Sequence, residues 1–287
     1  MLGNHPLGIY EKALRPETNW AVFFAKVRAL GFGFVELSID ESDLRLGRLD
    51  WSEREIISLR RAAEDASVRI QSICLSAHRR FPFGSADEGI RLRAADIMRR
   101  AINFASICGA RVIQLAGYDV YYEAHTLESE RLFLDGMVWS AGVAAASQVM
   151  LALEIMDTEF LNSIRKYIPI RDHVRSPWFR VYPDIGNLTA WGNVVSDELE
   201  LGITDIVGVH LKETKKVRKD YPGQFRDVPF GTGDVNFRKC FQLLEKSGYA
   251  GPYLLEMWAP PNGDDTAAVS KAKEFIEAQF RSAMRQE

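Results

Sequence analysis

Short apolar runs, rich in β-branched and aromatic residues, alternate along the chain with longer stretches of helical periodicity. The runs are almost continuously apolar, which is typical of strands covered on both faces, as in parallel sheets. We therefore predict one strand for each of eight runs. These runs are Leu7–Tyr10, Phe34–Ile39, Arg69–Leu75, Arg111–Ala116, Met150–Met156, Phe179–Tyr182, Ile206–Lys212 and Tyr253–Met257.

Helical patterns fill the intervals between the predicted strands. In Leu92–Ile107 the apolar residues recur every three or four positions and form one face of a helix. Ser52–Ala66 begins with Ser-Glu-Arg-Glu, a serine N-cap with glutamate at N3, which is a capping box. Glycines between a helical pattern and a strand suit the left-handed position after a helix. These glycines are Gly31, Gly109, Gly202 and Gly248.

Eight β-then-α units predict a closed (β/α)8 barrel, the TIM barrel of the α/β class. No linker rich in proline, glycine or serine interrupts the sequence, so we predict one catalytic domain over residues 1–287. The alternative is an open, doubly wound sheet. Its usual dinucleotide motif, GxGxxG after the first strand, does not occur in the sequence, and eight parallel strands close readily.

Composition and charge narrow the classes of function. The 287 residues are 47% hydrophobic and 26% charged, with a formal net charge of −3, whereas dedicated nucleic-acid proteins are usually basic. The longest uncharged apolar stretches, about seven to nine residues, are too short to span a bilayer, and the first residues show no secretory signal. Three widely spaced cysteines argue against a disulfide framework. We expect a cytoplasmic protein without a nucleic-acid partner or a membrane segment.

Ionisable residues stand near the carboxyl ends of predicted strands five to eight. They are Glu154, Asp184, His210 and Glu256. In an α/β barrel the carboxyl ends of the strands form the catalytic mouth, where these four strands are neighbours. Three buried carboxylates beside one imidazole repel one another unless a cation lies among them, and this donor set suits a divalent ion such as Zn²⁺ or Mn²⁺. The alternative is that backbone donors, lysines or arginines satisfy each group separately.

Such a site predicts proton transfer next to a sugar carbonyl. A divalent ion that holds two adjacent oxygens of a ketose polarises the carbonyl and makes the proton on the next carbon removable. Glu154 and Glu256, on opposite faces of the planar enediolate, then form an acid/base pair. Return of the proton to the opposite face is epimerisation, and return to the neighbouring carbon is aldose–ketose isomerisation. The residues by themselves leave both outcomes open.

Segments along nearly the whole chain carry a family resemblance. They include PLGIYEKAL, GFGFVELSIDE, CLSAHRRFPFGS, RVIQLAGYDVYYE, ALEIMDTEFLNSI, PWFRVYPDIGNLTAW, VGVHLKETK and GPYLLEMW. The sequence resembles the L-ribulose-5-phosphate 3-epimerases (also called L-xylulose-5-phosphate 3-epimerases) of L-ascorbate and related sugar catabolism, in the xylose-isomerase-like barrel superfamily. The resemblance implies that Glu154, Asp184, His210 and Glu256 bind the metal, with the two glutamates as acid/base pair. It also implies a cytosolic homo-oligomer that interconverts the two ketopentose phosphates.

A phosphorylated substrate needs positive charge near the barrel mouth. Residues 212–227 include six basic and three acidic residues. Within them, the stretch 216–227 is longer and more basic than the family pattern. Lys212 is the strongest single candidate for phosphate, since barrels often bind phosphate after strands seven and eight. His78 and Arg79, after strand three, are further candidates for phosphate or hydroxyl groups. Glu36, early in strand two, is expected to pair with an arginine inside the barrel.

Three other functions compete with this interpretation. An isomerase, or an epimerase of free ketoses, on the same fold would act on non-phosphorylated sugar. A DNA phosphodiesterase on this fold would use several metals and more histidines, but the chain has five histidines and no basic excess. A silent sugar-binding barrel would not require two opposed bases such as Glu154 and Glu256. We therefore expect a small sugar phosphate as ligand and further copies of the chain as partners.

Overall fold

The computed structural model describes residues 1–285, and a strand forms at every apolar run. Four predicted runs agree with their strands at both ends, and the other four extend one to three residues beyond them. The strands are β1 (Leu7–Tyr10), β2 (Phe34–Ile39), β3 (Arg69–Leu75), β4 (Val112–Leu115), β5 (Met150–Glu154), β6 (Phe179–Tyr182), β7 (Val209–Leu211) and β8 (Tyr253–Leu255).

All eight strands lie parallel in one sheet. Neighbours pair in chain order from β1 to β6, and β7 pairs with β8, which pairs with β1. Among the described residues, β6 and β7 are joined by isolated bridges, from Val181 to Ile206 and from Asp184 to His210. The barrel is therefore nearly closed, which confirms the (β/α)8 prediction and excludes the open, doubly wound sheet.

Helices follow the strands and pack against the sheet. They are α1 (Trp20–Ala29), α2 (Asp43–Leu46), α3 (Glu53–Asp65), α4 (Glu88–Cys108), α5 (Leu127–Ala146), α6 (Ile164–Val174), α7 (Ile185–Ala190), α8 (Val195–Gly202), α9 (Phe237–Lys246) and α10 (Asp265–Met284). The predicted capping box begins α3, because Ser52 accepts from the Glu55 amide and the Glu55 side chain accepts from Ser52 N. Within residues 1–285, no helix has both the length and the apolar character to cross a membrane. The single-domain prediction also includes residues 286–287, which lie outside the described residues.

Alternating side chains along the strands divide the interior into two parts. In β2, Val35 and Leu37 belong to the main hydrophobic core, which the helices cover. Phe34, on the opposite face of β2, packs in a small separate cluster with Tyr10 and Leu254. The lumen-facing positions of the strands are therefore where side chains from different parts of the barrel meet.

Three of the four predicted helix-ending glycines adopt the left-handed conformation. Gly31, Gly109 and Gly248 have φ angles of 80°, 83° and 72°. The prediction for Gly202 is wrong, because this residue is the last one of α8. A Cβ at Gly202 would lie 2.8 Å from Ile164 Cγ2, so glycine is needed there for close packing of α6 against α8.

Candidate active site at the barrel mouth

Four buried polar side chains meet at the carboxyl ends of β5 to β8. Glu154 ends β5, Asp184 follows β6, His210 lies within β7 and Glu256 follows β8. One possible ligand atom from each lies within 4.8 Å of the other three, and all four residues are buried. The structure thus brings together the residues selected from the strand ends, which we call the four-residue cluster. Their roles as ligands stay a prediction.

His210 contacts both glutamates of the cluster. Its Nδ1 atom lies 3.2 Å from Glu154 Oε1 and 3.0 Å from Glu256 Oε2. The ring packs against Tyr182, with 4.5 Å between the ring centroids. Burial by itself would lower the pKa of His210, but the carboxylates of Glu256 and Glu36 raise it well above its ordinary value. The imidazole is therefore held by negative charge on more than one side.

Asp184 is oriented by the helix that follows it. As the N-cap of α7, its Oδ1 accepts hydrogen bonds from the backbone amides of Gly186 at 2.7 Å and Asn187 at 3.0 Å. Glycine is needed at position 186, because a Cβ there would lie 2.6 Å from the backbone oxygen of Lys212. The start of α7 thus holds one carboxylate oxygen and leaves Oδ2 for the cluster.

Lys212 reaches into the cluster and not toward the rim of the mouth. Its side chain is 7% exposed, and Nζ forms an ion pair with Asp184 Oδ2. The same Nζ lies 3.7 Å from Glu256 Oε2. Lys212 directly follows β7, two residues beyond His210, so both side chains turn into the lumen. The structure pairs Lys212 with Asp184, and the predicted contact of Lys212 with a phosphate stays a prediction.

Negative charge exceeds positive charge around the cluster. Four buried carboxylates, the three of the cluster and that of Glu36, are in contact with Lys212 and His210. When all four are ionised and the imidazole is protonated, four negative charges meet two positive ones, which leaves an excess of two. Separate satisfaction of each carboxylate, the alternative at the sequence level, does not describe this shared and unbalanced arrangement.

The surroundings shift the two glutamates in opposite directions. Burial raises the pKa of Glu154, and His210 offsets this only in part. Burial would also raise the pKa of Glu256, but Lys212 and His210 hold it below its ordinary value. Among the protein groups alone, the proton is therefore bound more readily by Glu154 than by Glu256. Pairs of carboxyl groups with divergent pKa values are typical of acid/base sites.

The donor set fits a divalent metal ion. Asp184 Oδ2 and Glu256 Oε2 are buried, and their contacts with Lys212 and His210 are ionic contacts without hydrogen-bond geometry. A cation between them would satisfy both oxygens and offset the excess negative charge. Three carboxylates with one imidazole are ligands that zinc accepts, and hard oxygen donors also suit manganese.

Two further lumen residues contact the cluster, and the sequence did not identify them as part of the site. Gln114 on β4 is fully buried and donates from Nε2 to Glu154 Oε2. Glu36 Oε1 lies 3.0 Å from His210 Nε2, so the prediction that Glu36 meets an arginine is wrong. The sequence marks Gln114 and Glu36 in one way only: each is a polar residue at a lumen position within an otherwise apolar run.

His78 and Arg79 leave β3 in different directions. The ring of His78 is buried, with Nε2 3.1 Å from the backbone oxygen of Ala94 on α4, and burial lowers its pKa to about 4. The structure therefore does not bring His78 to the cluster. The guanidinium of Arg79 donates to the hydroxyl of Tyr118 at 3.0 Å and stacks on Tyr121, 4.6 Å from the ring centroid. Arg79 thus lies among the aromatic side chains that follow β4, and its contact with substrate stays a prediction.

A cavity of about 420 Å³ opens beside the cluster, between the loops that follow β7 and β8. Lys212 and Glu256 line it at the cluster, and Lys271 of α10 also lines it. Its other walls are largely apolar and include Val228, Pro229, Phe230, Met257, Trp258, Pro260 and Pro261. The guanidinium of Arg226 lies 4.8 Å from the Trp258 ring centroid, so the basic segment reaches this cavity.

Comparisons with known proteins agree with this architecture. Residues 24–279 match the family described as xylose isomerase-like TIM barrel. The L-ribulose-5-phosphate 3-epimerase UlaE of Escherichia coli O157:H7 is 50% identical over 97% of this chain and 96% of its own. SgbU of Escherichia coli K12, to which the same activity is provisionally assigned, is 52% identical over 98% of both chains. The structure of D-allulose 3-epimerase from Methylomonas sp. with D-allulose has a TM-score of 0.78 and 17% identity, covering 96% of this chain and 97% of its own.

Proposed function

The chain belongs to the xylose isomerase-like TIM-barrel family, and on this premise we propose that it interconverts L-ribulose 5-phosphate and L-xylulose 5-phosphate. It is a carbohydrate epimerase, an enzyme of the isomerase class. The observation that carries the more specific proposal is the four-residue cluster, in which two glutamates and an unbalanced negative charge meet in one buried place. The proposed substrate is taken from relatives that share about half of their residues with this chain and are named L-ribulose-5-phosphate 3-epimerases.

We propose that the four-residue cluster holds one divalent metal ion, Zn²⁺ or Mn²⁺. Glu154, Asp184, His210 and Glu256 are the ligands, and Lys212 balances part of the remaining negative charge. When bound, such an ion supplies electrostatic stabilisation of negative charge on the oxygens of a ketose. The backbone amides at the start of α7 keep Asp184 oriented before any ion arrives.

Glu154 and Glu256 are the proposed acid/base pair. Inversion of C3 requires that one group removes its proton from one face of the sugar and another returns a proton to the opposite face. The two carboxylates come from β5 and β8, strands separated by β6 and β7, and meet at His210. Gln114 holds one oxygen of Glu154, and Lys212 lies near one oxygen of Glu256, so each carboxyl group is kept in place. Among the protein groups alone, burial raises the pKa of Glu154, whereas Lys212 and His210 hold the pKa of Glu256 below its ordinary value, so the surroundings of the two members differ.

The phosphate end of the substrate is proposed to occupy the cavity beside the cluster. Lys271 lines that cavity, and Arg226 stacks on one of its walls. In this arrangement the two cations bind the phosphate in the cavity, and the reacting carbon lies at the cluster. In the basic segment between β7 and α9, Arg226 is thus proposed to contact the substrate phosphate, while the first residue, Lys212, contacts the cluster.

NMR of L-ribulose 5-phosphate incubated with the protein in D₂O tests the proposed reaction. Deuterium at C3 together with the C3 epimer is the expected result, because solvent exchanges with the two carboxyl groups between removal and return of the proton. Deuterium at C1 with formation of an aldose would make the chain an isomerase instead. Turnover of free ketopentose at the rate of its phosphate would favour an epimerase of free sugars.

A homo-oligomeric state and a cytoplasmic location are implied by the resemblance and stay predictions. Sedimentation velocity of the purified protein measures the first directly. A mass equal to that of one chain at micromolar concentration would reject it.

A further inference from the structure

We propose that Glu36 is a positioning residue of the metal centre. Its carboxylate holds the His210 ring so that Nδ1 faces the cluster and the ring hydrogen is on Nε2. This inference rests on the metal site of the proposed function. Glu36 lies on β2, on the opposite side of the lumen from β6 and outside the four-residue cluster.

Glu36 points into the lumen by the alternation of β2, in which Phe34 faces the lumen and Val35 faces the main core. The pairing with β3 shifts register at this point, because β3 has one extra residue, Gln71, between the partners of Val35 and Glu36. Bulges of this kind are frequent beside active sites. Glu36 is fully buried there, opposite Tyr10 on β1 and Ser72 on β3.

Both carboxylate oxygens of Glu36 have a defined partner. Ser72 Oγ donates a hydrogen bond to Oε2 at 2.7 Å, which fixes the plane of the carboxylate. Oε1 then lies 3.0 Å from His210 Nε2. On the other edge of the same ring, Nδ1 faces Glu154 and Glu256. The imidazole is thus held between a carboxylate oriented by serine and the cluster.

The chemistry of imidazole assigns the two ring nitrogens. A neutral imidazole has one N–H, and the nitrogen that binds a metal must be the one without it. Carboxylates face both ring nitrogens, but an ion in the cluster takes the place of hydrogen on the Nδ1 side, so the remaining ring hydrogen is on Nε2, where the Glu36 carboxylate accepts it. This leaves Nδ1 free toward the cluster. Partners of this kind typically change metal affinity by about 10- to 100-fold.

Zinc affinity of the Glu36→Gln variant tests the proposal, because an amide can also donate to Nε2 and no longer selects one form of the ring. Competition with a chromophoric chelator should show zinc bound about 10- to 100-fold more weakly than by the wild-type protein. The matched control is Glu198→Gln, at a buried glutamate on α8 that accepts from the Arg165 amide, and its affinity should stay within about twofold of wild type. A Glu36→Gln protein that binds zinc as tightly as the control would overturn the proposal.

NMR of the zinc-loaded wild-type protein, labelled with ¹⁵N-histidine, gives a second readout that requires no variant to fold. The expected result is a slowly exchanging Nε2–H of His210, whereas a hydrogen on Nδ1 would overturn the proposal. A wild-type protein without bound zinc would overturn it as well. Zinc binding with these signatures but without epimerisation would reject the proposed function and leave the role of Glu36 intact.

Discussion

Two buried groups of charged side chains differ in how completely their charges are balanced. Glu11 and Arg48 form a bidentate pair with N–O distances of 2.6 and 2.7 Å, and the Ser38 amide also donates to Glu11 Oε2 at 2.8 Å. In and around the four-residue cluster, by contrast, four carboxylates share one lysine and one histidine. The contacts of Asp184 Oδ2 and Glu256 Oε2 with these two residues lack hydrogen-bond geometry.

The difference shows that burial of charge does not by itself mark a functional site. Glu11, whose charge is countered by arginine and whose oxygens are hydrogen-bonded, holds two connections of the barrel together and needs no ligand. A cluster with excess negative charge is maintained at a cost in stability, which is the pattern expected where a cation and a substrate bind. The predictions below separate these two kinds of burial.

The largest effect is expected from the two glutamates of the cluster. Glu154→Gln and Glu256→Gln should each lower turnover by about 10²- to 10⁴-fold, because an amide cannot remove or return the proton. Steady-state epimerisation assays measure this, with Glu198→Gln as the control at a buried glutamate outside the site. If either cluster variant keeps more than a tenth of the wild-type rate, it does not belong to the acid/base pair.

Glu11→Gln should act on stability and not on metal content. The substitution leaves Arg48 buried against a neutral amide, so the free energy of unfolding should fall by about 3 kcal/mol. Urea denaturation measures the loss, and elemental analysis of the folded variant should show the metal content of wild type. Unchanged stability together with loss of metal would remove the contrast between the two groups.

His78 extends the comparison to a group that is buried without charge. Its pKa is lowered to about 4 from an ordinary 6.5, so protonation favours the unfolded state. His78 contributes no pH dependence above pH 6.5, and its effect lowers the free energy of unfolding progressively as pH falls toward 4, by up to about 3 kcal/mol. Urea denaturation at pH 7, 6 and 5 should show this slope in wild type and a smaller one in His78→Gln. Identical slopes would mean that other groups cause the acid sensitivity.

The smallest effect is expected at the far end of the cavity. Lys271→Ala should raise KM for the ketopentose phosphate several-fold and leave KM for the free ketopentose unchanged, because a partly exposed charge pair contributes only about 1 kcal/mol. Lys246→Ala, at the exposed end of α9, is the matched control. An equal effect of Lys271→Ala on both sugars would place the phosphate elsewhere.

The strands and the cluster could be predicted from the sequence because both follow from the apolar runs. Apolar runs mark the strands, and parallel strands bring their carboxyl ends to one mouth, so Glu154, Asp184 and His210 could be placed together. The partner of Glu36 was missed because it depends on a contact across the lumen with a residue 174 positions away. The direction of His78 depends on the short 3-10 turn Ala77–Arg79, which no periodicity predicts.

Metal binding by two matched variants tests the central claim most directly. Chelator-treated wild-type protein, Glu11→Gln and Asp184→Asn are each titrated with Mn²⁺, and bound metal per chain is measured by elemental analysis after dialysis. The account predicts one ion per chain for wild type and Glu11→Gln, and loss of that ion in Asp184→Asn, since the amide removes one of the cluster's charges. A wild-type protein that retains no ion, or an Asp184→Asn variant that binds as wild type does, would contradict it.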